Sequence, residues 1–278
     1  MREKIKNALL SYGIEYFAIL PYSLCRETSP SIMERAGFIP KSIIVYLLPY
    51  YTGEAVNMSV YSTSLDYHIA ISEVNAILCG TLKEAYPDSN IRGYGDHSPI
   101  DERHAALIGG LGIAGDSGLI INEKYGTYVF VGDLVTDIDP LLLSADTPRE
   151  ITRCEGCGVC LSACPTGILR GEGEDCLSAI TQRKGELTSD EVALMKKYNT
   201  VWGCDLCQSS CPHNLHPIKT PVEFFYRERI GNLTLDVLDA MSKEEFERRA
   251  YAWRKRATIR RNLLILEEKT SRNKKEFE

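Results

Sequence analysis

Eight of the chain's ten cysteines fall between Cys154 and Cys211, leaving only Cys25 and Cys79 outside. That clustering constrains the molecule more than any other feature. A secreted protein stapled by disulfides spreads its cysteines, and 278 residues bury enough core to need no staples. Crowded cysteines in a chain of this size point to metal ligation in a reducing compartment.

The spacing names the metal. Cys154-Glu-Gly-Cys157-Gly-Val-Cys160-Leu-Ser-Ala-Cys164-Pro165 is a C-x2-C-x2-C-x3-C-P run, the pattern of bacterial two-cluster ferredoxins. Three thiolates on a tight loop wrap one face of an iron–sulfur cube, and the fourth points away to a second cube. A second run, Cys204-Asp-Leu-Cys207-Gln-Ser-Ser-Cys211-Pro212, has the same ending but one cysteine fewer. The two runs give seven ligands where two cubes need eight, and Cys176, lying between them, is the natural eighth. Exchange of the last cysteine between runs assigns Cys154, Cys157, Cys160 and Cys211 to one [4Fe-4S] cluster. Cys164, Cys176, Cys204 and Cys207 then hold the other. A pair of zinc sites would use two C-x2-C pairs and gives no reason for a proline-tailed fourth cysteine twice. Cys25 and Cys79 read as small core hydrophobes.

Around this module the chain reads as α+β. Residues 1–150 form a mixed α/β domain, 151–217 a ferredoxin-like domain with two clusters, and 218–278 a helical tail. Tyr16–Leu20 and Ile43–Leu48 are apolar strand candidates. Ile71, Val74, Leu78, Leu82 and Ala85 share a helix face. Ser98 and Asp101 give a capping-box pattern for a helix reaching Gly109, and Leu119–Asn122 and Tyr128–Val135 return to strand character. Thr188/Glu191 and Ser242/Glu245 mark two more helix starts. Gly110-Leu-Gly112-Ile-Ala-Gly115 matches G-x-G-x-x-G, but a helix precedes it and a strand follows, the reverse of a dinucleotide-binding turn. Its glycines predict a tight helix-to-strand turn.

The formal net charge of −6 excludes a globally basic nucleic-acid binder. The charge is uneven, however: Lys243–Glu278 carries 12 Lys/Arg against 7 Asp/Glu. Arg254-Lys255-Arg256 and Arg260-Arg261 suit phosphate contacts and equally suit a solvated helix face. Met1-Arg2-Glu3-Lys4 opens no signal peptide, and the apolar stretch Ile43–Tyr51 is too short to span a bilayer. The expectation is a cytoplasmic protein without membrane contact.

Gly95-Asp96-His97-Ser98-Pro99-Ile100-Asp101-Glu102-Arg103, Gly110-Leu-Gly112 and Tyr125-Gly126-Thr127-Tyr128-Val-Phe-Val-Gly132-Asp133 together resemble the epoxyqueuosine reductase family. The resemblance continues through Asp66-Tyr67-His68, Cys176-Leu-Ser178 and Gly203-Cys204-Asp205-Leu206-Cys207-Gln208, and reaches Glu245-Phe246 and Arg260-Arg261-Asn262. It implies a reductase that uses base-off cobalamin fed by two [4Fe-4S] clusters, related to reductive dehalogenases. Epoxyqueuosine in tRNA would be the substrate, its oxirane becoming an alkene. An aspartate matching Asp96 would donate a proton from a partly dry pocket, and Ser178, Asp205 and Leu206 would be corrinoid contacts. A ferredoxin, flavodoxin or reductase would supply electrons. Asp66-x-His68 matches only part of the signature for histidine-ligated cobalt, because Ile71 stands where glycine is required, so His68 reads as structural or pocket-lining. His213 and His216 are expected at the surface beside the last cluster cysteine. Ile113 and Asp116 replace an aromatic and a basic residue usual in the family. The resemblance covers a short form without the family's C-terminal helical repeats, which help hold tRNA. That leaves tRNA as one possible partner, with two alternatives: the same chemistry on a smaller substrate, or a non-enzymatic electron carrier.

Overall fold

Ile43, Val45 and Leu47 alternate with Ser42, Ile44, Tyr46 and Leu48, so a strand here must be covered on both faces. The computed structural model, which describes residues 1–275 and side chains through residue 267, buries every position of this strand. It is β2 (Ser42–Pro49), preceded by β1 (Phe17–Pro21). Downstream come β3 (Ile91–Tyr94), the short antiparallel pair β4 (Ile113–Ala114) and β5 (Ile120–Ile121), and β6 (Val129–Thr136). The main sheet has the order β1-β2-β6-β3, with every neighbouring pair antiparallel.

The helices are α1 (Arg2–Ser11), α2 (Pro30–Ala36), α3 (Tyr67–Lys83), α4 (Glu102–Ile108), α5 (Pro140–Leu143), α6 (Val159–Ala163) and α7 (Leu177–Gln182). They continue with α8 (Ser189–Tyr198), α9 (Leu206–Ser209), α10 (Leu235–Ala240), α11 (Lys243–Glu247) and α12 (Lys255–Lys275). None among the described residues is long and apolar enough to cross a membrane.

The chain divides into two compact units. The first comprises Met1–Tyr51, His68–Cys157 and His216–Glu223; the second comprises Thr52–Tyr67, Gly158–Leu215 and Phe224 onward. Of the three regions drawn from sequence, 1–150 therefore falls in the first unit apart from 52–67. The cysteine region beyond Cys157 and most of the helical tail share the second.

In the first unit α4 covers one face of the sheet. Ala105, Ala106, Leu107 and Ile108 pack with Ala18, Leu20, Ile43, Val45, Leu47 and Val135, each large apolar side chain contributing about 1.5–3 kcal/mol on burial. On the opposite face the Tyr46 hydroxyl donates to Asn75 Oδ1 of α3 at 3.1 Å. Tyr46 is opposite Gly132 in the β2–β6 register, and a Cβ at Gly132 would lie 2.4 Å from the Tyr46 ring. Only glycine leaves room for that ring.

Helix α4 starts later than the sequence pattern suggests. Its N-cap is Asp101, whose Oδ1 accepts from His104 N at 2.9 Å, and Ser98 is buried in the preceding loop. The glycines after α4 form the expected tight turn. A Cβ at Gly112 would meet the Ile121 carbonyl oxygen at 2.6 Å, so the backbones of β4 and β5 approach as only glycine permits.

The second unit is helical. Met58, Val201, Trp202, Leu233, Leu238, Phe246, Tyr251, Ile259 and Leu263 form one core, and Leu177, Ile180 and Met195 another. Capping boxes close at Thr188/Glu191 and Ser242/Glu245. Asn262, fully buried on α12, donates to the carbonyls of Thr181 and Val201 at 2.7 and 2.8 Å. That side chain fastens α12 to the cysteine-bearing segment.

Candidate active site

The second unit gathers Cys164, Cys176, Cys204 and Cys207. Burial first, and then the charges of neighbouring Cys176, Cys164 and Asp205, push the Cys204 thiol up to about 11. The same burial, with Cys204 added to those neighbours, pushes Cys207 up to about 12. Four thiols in one electrostatic neighbourhood resist ionising together; a multinuclear cation that binds all four removes the penalty. Cys164 is buried, which opposes its ionisation. The N–H groups of Leu169, Thr166 and Gly167 and the Thr166 hydroxyl nonetheless hold its thiol below the usual range. Thr166 Oγ1 lies 3.6 Å from the sulfur. Backbone donors aimed at a cysteine sulfur are what an iron–sulfur thiolate requires. Among the described residues no three His, Cys, Asp or Glu side chains converge tightly enough to hold a single metal ion. The shared neighbourhood of the four thiols and the donors around Cys164 are what fit this set to an iron–sulfur cluster.

Of the other four cysteines, Cys154 and Cys157 belong to the first unit, and Cys160 and Cys211 to the second. Cys154 Sγ accepts from the Asp116 amide at 3.4 Å, and Cys154 N donates to the Ala114 carbonyl at 3.0 Å. The start of the cysteine run thus lies along the glycine-rich turn. Asp116 faces Arg153 at 3.5 Å. Helix α6, carrying Cys160, packs on α9, carrying Cys207. Cys25 is partly buried against the α4-side core, where burial pushes its thiol up to about 12. Cys79 is only partly buried on α3, less of a core residue than expected.

Asp205 N-caps the short α9 and is almost wholly engaged. Ser59 Oγ donates to its Oδ1 at 2.6 Å, Gln208 Nε2 to the same oxygen at 2.9 Å, and Val60 N to Oδ2 at 2.7 Å. Burial raises its carboxyl while these three donors pull it down. Asp205 and Leu206 line a cavity of about 150 Å³ together with Met58, Ser59, Leu177 and Cys204. That volume accepts an edge or side chain of a large ligand rather than a whole macrocycle. Leu206 and Met58 suit the apolar edge of a corrinoid. Asp205, with both oxygens occupied, suits it by holding Ser59 and the Cys204–Cys207 loop in place. Ser178 does not line this cavity; its Oγ accepts from Gln182 Nε2 at 3.0 Å.

Asp96 lies in the first unit, on the loop between β3 and α4, with φ of 64°. Helix α3 shapes this loop from one side: a Cβ at Gly95 would come 2.8 Å from Ile71 Cδ1. The same helix carries His68, whose Nε2 stands 3.4 Å from Asp96 Oδ2. The Asp96 side chain is 52% exposed, not enclosed in the dry pocket anticipated for it. On the other side the Asp96 amide donates to Glu102 Oε1 at 3.1 Å. Burial, then Asp133 and Asp96, push the Glu102 carboxyl up to about 8.

Asp133 was not legible as a site residue. It is fully buried on β6, and burial pushes it up to about 7, eased by the Ser98 hydroxyl. Ser98 favours the ionised form electrostatically, but neither oxygen of Asp133 completes a hydrogen bond of ordinary geometry among the described residues. A buried carboxyl without donors is stable as the neutral acid. The signal for it was a lone acidic residue inside an apolar strand run.

The tail's cations are largely spent within the second unit. Arg256 donates to the carbonyls of Leu238, Met241 and Ser242, Arg260 pairs with Asp239, and Arg261 bonds the Gly185 carbonyl. Arg254 stacks on the Trp253 ring at 3.9 Å. His213 and His216 are exposed. The basic residues beyond 267 lie outside the described side chains.

Residues 153–214 match the family described as the 4Fe-4S double cluster binding domain. An epoxyqueuosine reductase of Listeria monocytogenes is 34% identical over 215 residues, covering 74% of this chain and 55% of that protein. One from Gloeobacter violaceus is 32% identical over 238 residues, covering 80% of this chain and 72% of that protein. The chain thus spans little more than half of the Listeria relative. A crystal structure of an epoxyqueuosine reductase with an epoxyqueuosine-modified tRNA-Tyr stem loop superimposes over 95% of this chain and 80% of that one. Its TM-score is 0.76 at 24% identity, a likeness of fold.

Proposed function

The chain belongs to the epoxyqueuosine reductase family, and from that premise we propose that it is a cobalamin-dependent reductase acting on epoxyqueuosine in tRNA. The observation that carries this reading is that Cys164, Cys176, Cys204 and Cys207 share one electrostatic neighbourhood, with Cys204 lining the same cavity as Leu206 and Asp205. An electron-delivering cube there would adjoin the surface that receives the corrinoid.

Bound in place, the clusters supply single electrons and the corrinoid a metal centre that reduces the electrophile. The chain's own residues do the rest. Cys164, Cys176, Cys204 and Cys207 hold one cluster, with donors from Thr166, Gly167 and Leu169 stabilising the Cys164 thiolate. Cys154, Cys157, Cys160 and Cys211 hold the other, an assignment resting on their spacing. Leu206 would meet the corrinoid edge and Asp205 fixes the loop that presents it, whereas Ser178, which lies off the cavity and accepts from Gln182, would reach the corrinoid only outside that cavity. Converting an oxirane to an alkene takes two electrons and two protons and releases water. Asp96 gives one of those protons from its carboxyl, and His68, at 3.4 Å, is placed to hold the carboxylate left behind. A small ferredoxin or flavodoxin, or a reductase, delivers the electrons.

A smaller, tRNA-free substrate is favoured by one observation: Arg256, Arg260 and Arg261 are engaged internally. Anaerobic reconstitution with iron and sulfide tests the proposal. The protein should take up about eight irons and then give a base-off cobalt resonance on adding cobalamin. Full iron content without cobalamin binding would leave an electron carrier instead.

A further inference from the structure

A left-handed turn at a non-glycine residue persists only where its surroundings hold it. At Asp96 the φ of 64° puts the amide towards α4, where Glu102 Oε1 accepts it at 3.1 Å. Glu102 is itself fixed, because it follows the Asp101 N-cap as the first residue of α4. The loop ahead of it is tied down by Pro99, whose carbonyl accepts from Thr28 N and Ser29 N, and by Asp101 N donating to the Arg26 carbonyl. Beneath the first turn of α4 lies Asp133, opposite Val45 and Tyr94 in the sheet register and on the face that α4 covers. The proton-donor loop is thus hung on a carboxyl, and that carboxyl is backed by a second one buried in the sheet.

Resting on the reading of Asp96 as proton donor, we propose that Glu102 is its positioning residue, holding the Asp96 amide so that the side chain is presented beside His68, with Asp133 setting the charge state of Glu102 from below. Neutral Glu102 accepts the amide through its carbonyl oxygen and adds no second negative charge beside Asp96. The groups that face Glu102 are Asp133 from β6, Tyr46 from β2, and Asp96 and Asp101 from its own loop and cap. Arg26 lies 3.4 Å from Asp101. Those facing Asp133 are Ser98, Cys25, Tyr94 and Tyr46. With Glu102 at about 8 and Asp133 at about 7, Glu102 is the neutral acceptor near pH 7. Above about 8 it becomes a charged and stronger acceptor.

Hydrogen exchange at the Asp96 amide, measured on the cluster-loaded chain, reads the contact without requiring turnover. Glu102→Ala should speed that exchange by roughly tenfold, and Glu102→Gln, which keeps an acceptor oxygen, should recover most of the protection. In the wild type, protection relative to intrinsic exchange should rise as the pH passes about 8. That step should vanish in Glu102→Gln and move to lower pH in Asp133→Asn, which removes a negative neighbour. In turnover, Glu102→Ala should lower kcat with KM unchanged. Unchanged Asp96 exchange in Glu102→Ala, or a pH step that Asp133→Asn leaves in place, overturns the proposal. Should Glu102→Ala fail to fold, the pH step in the other two variants decides alone. If the wild type neither binds cobalamin nor turns over, the functional reading fails, and the exchange data still judge Glu102.

Discussion

At the scale of single residues, three carboxyls have separate parts in the proposed reaction: Asp96 donates the proton, Glu102 holds its loop, and Asp133 is the buried acid beneath. Asp96→Asn should abolish turnover while iron content and cobalamin binding stay at wild-type levels; full turnover with cobalamin bound would remove Asp96 from the reaction. Asp133 and Glu102 also leave a mark on stability. Their folded values of about 7 and about 8 lie above the ~4 of unfolded carboxyls. Between those values the folded protein keeps protons that the unfolded chain has released. Stability therefore falls as pH rises from about 4 to about 8, by at most ~1.4 kcal/mol per pH unit per group. Asp133→Asn should flatten that fall in denaturant titrations repeated across the range; equal slopes in the two proteins would show that Asp133 is not held neutral. The double-cluster segment was legible because ligand spacing is a local property of the chain. Asp133 was not, because nothing in a strand's alternation says that a helix from an earlier stretch of the chain, α4 (Glu102–Ile108), will cover a polar position.

At the scale of elements, short-range chemistry was readable and cover was not. Thr188/Glu191 and Ser242/Glu245 form capping boxes as their sequences suggest, since the motif needs only four consecutive residues. The order of helix and strand around Gly110–Gly115, the reverse of a dinucleotide turn, is likewise as the sequence suggests. By contrast β3 was missed: Ile91-Arg92-Gly93-Tyr94 is a four-residue edge strand with only Ile91 buried, and it has no apolar alternation to see. Ser98 looked like a cap and is instead buried next to Asp133, while Asp101 caps α4. Asp101→Ala should cost about 1 kcal/mol through the lost cap. It should also loosen the segment carrying Glu102, so exchange at Asp96 should quicken along with the loss of stability. A destabilised protein with unchanged Asp96 exchange would uncouple α4 from the donor loop.

At the scale of the whole molecule, residues 52–67 illustrate what a linear reading cannot reach. They carry no strand or long helix, yet they belong with the second unit. Ser59 N donates to the Trp202 carbonyl at 2.8 Å, Trp202 Nε1 donates to the Tyr61 hydroxyl at 2.8 Å, and Asn57 bonds Leu233 in both directions. Ser59 also holds Asp205, so this segment supports the cluster loop. Cys176→Ser should leave the cluster on Cys154, Cys157, Cys160 and Cys211 and lose the other. Iron would fall from about eight to about four per chain; a wild-type count would reject Cys176 as the eighth ligand. The central claim is tested most directly by nucleoside mass spectrometry. Reconstituted protein, cobalamin and a chemical reductant are incubated anaerobically with an epoxyqueuosine-bearing tRNA stem loop. The account predicts queuosine that requires cobalamin and is missing with Cys176→Ser and Asp96→Asn. Epoxyqueuosine left intact by protein that holds reduced clusters and cobalamin would contradict it.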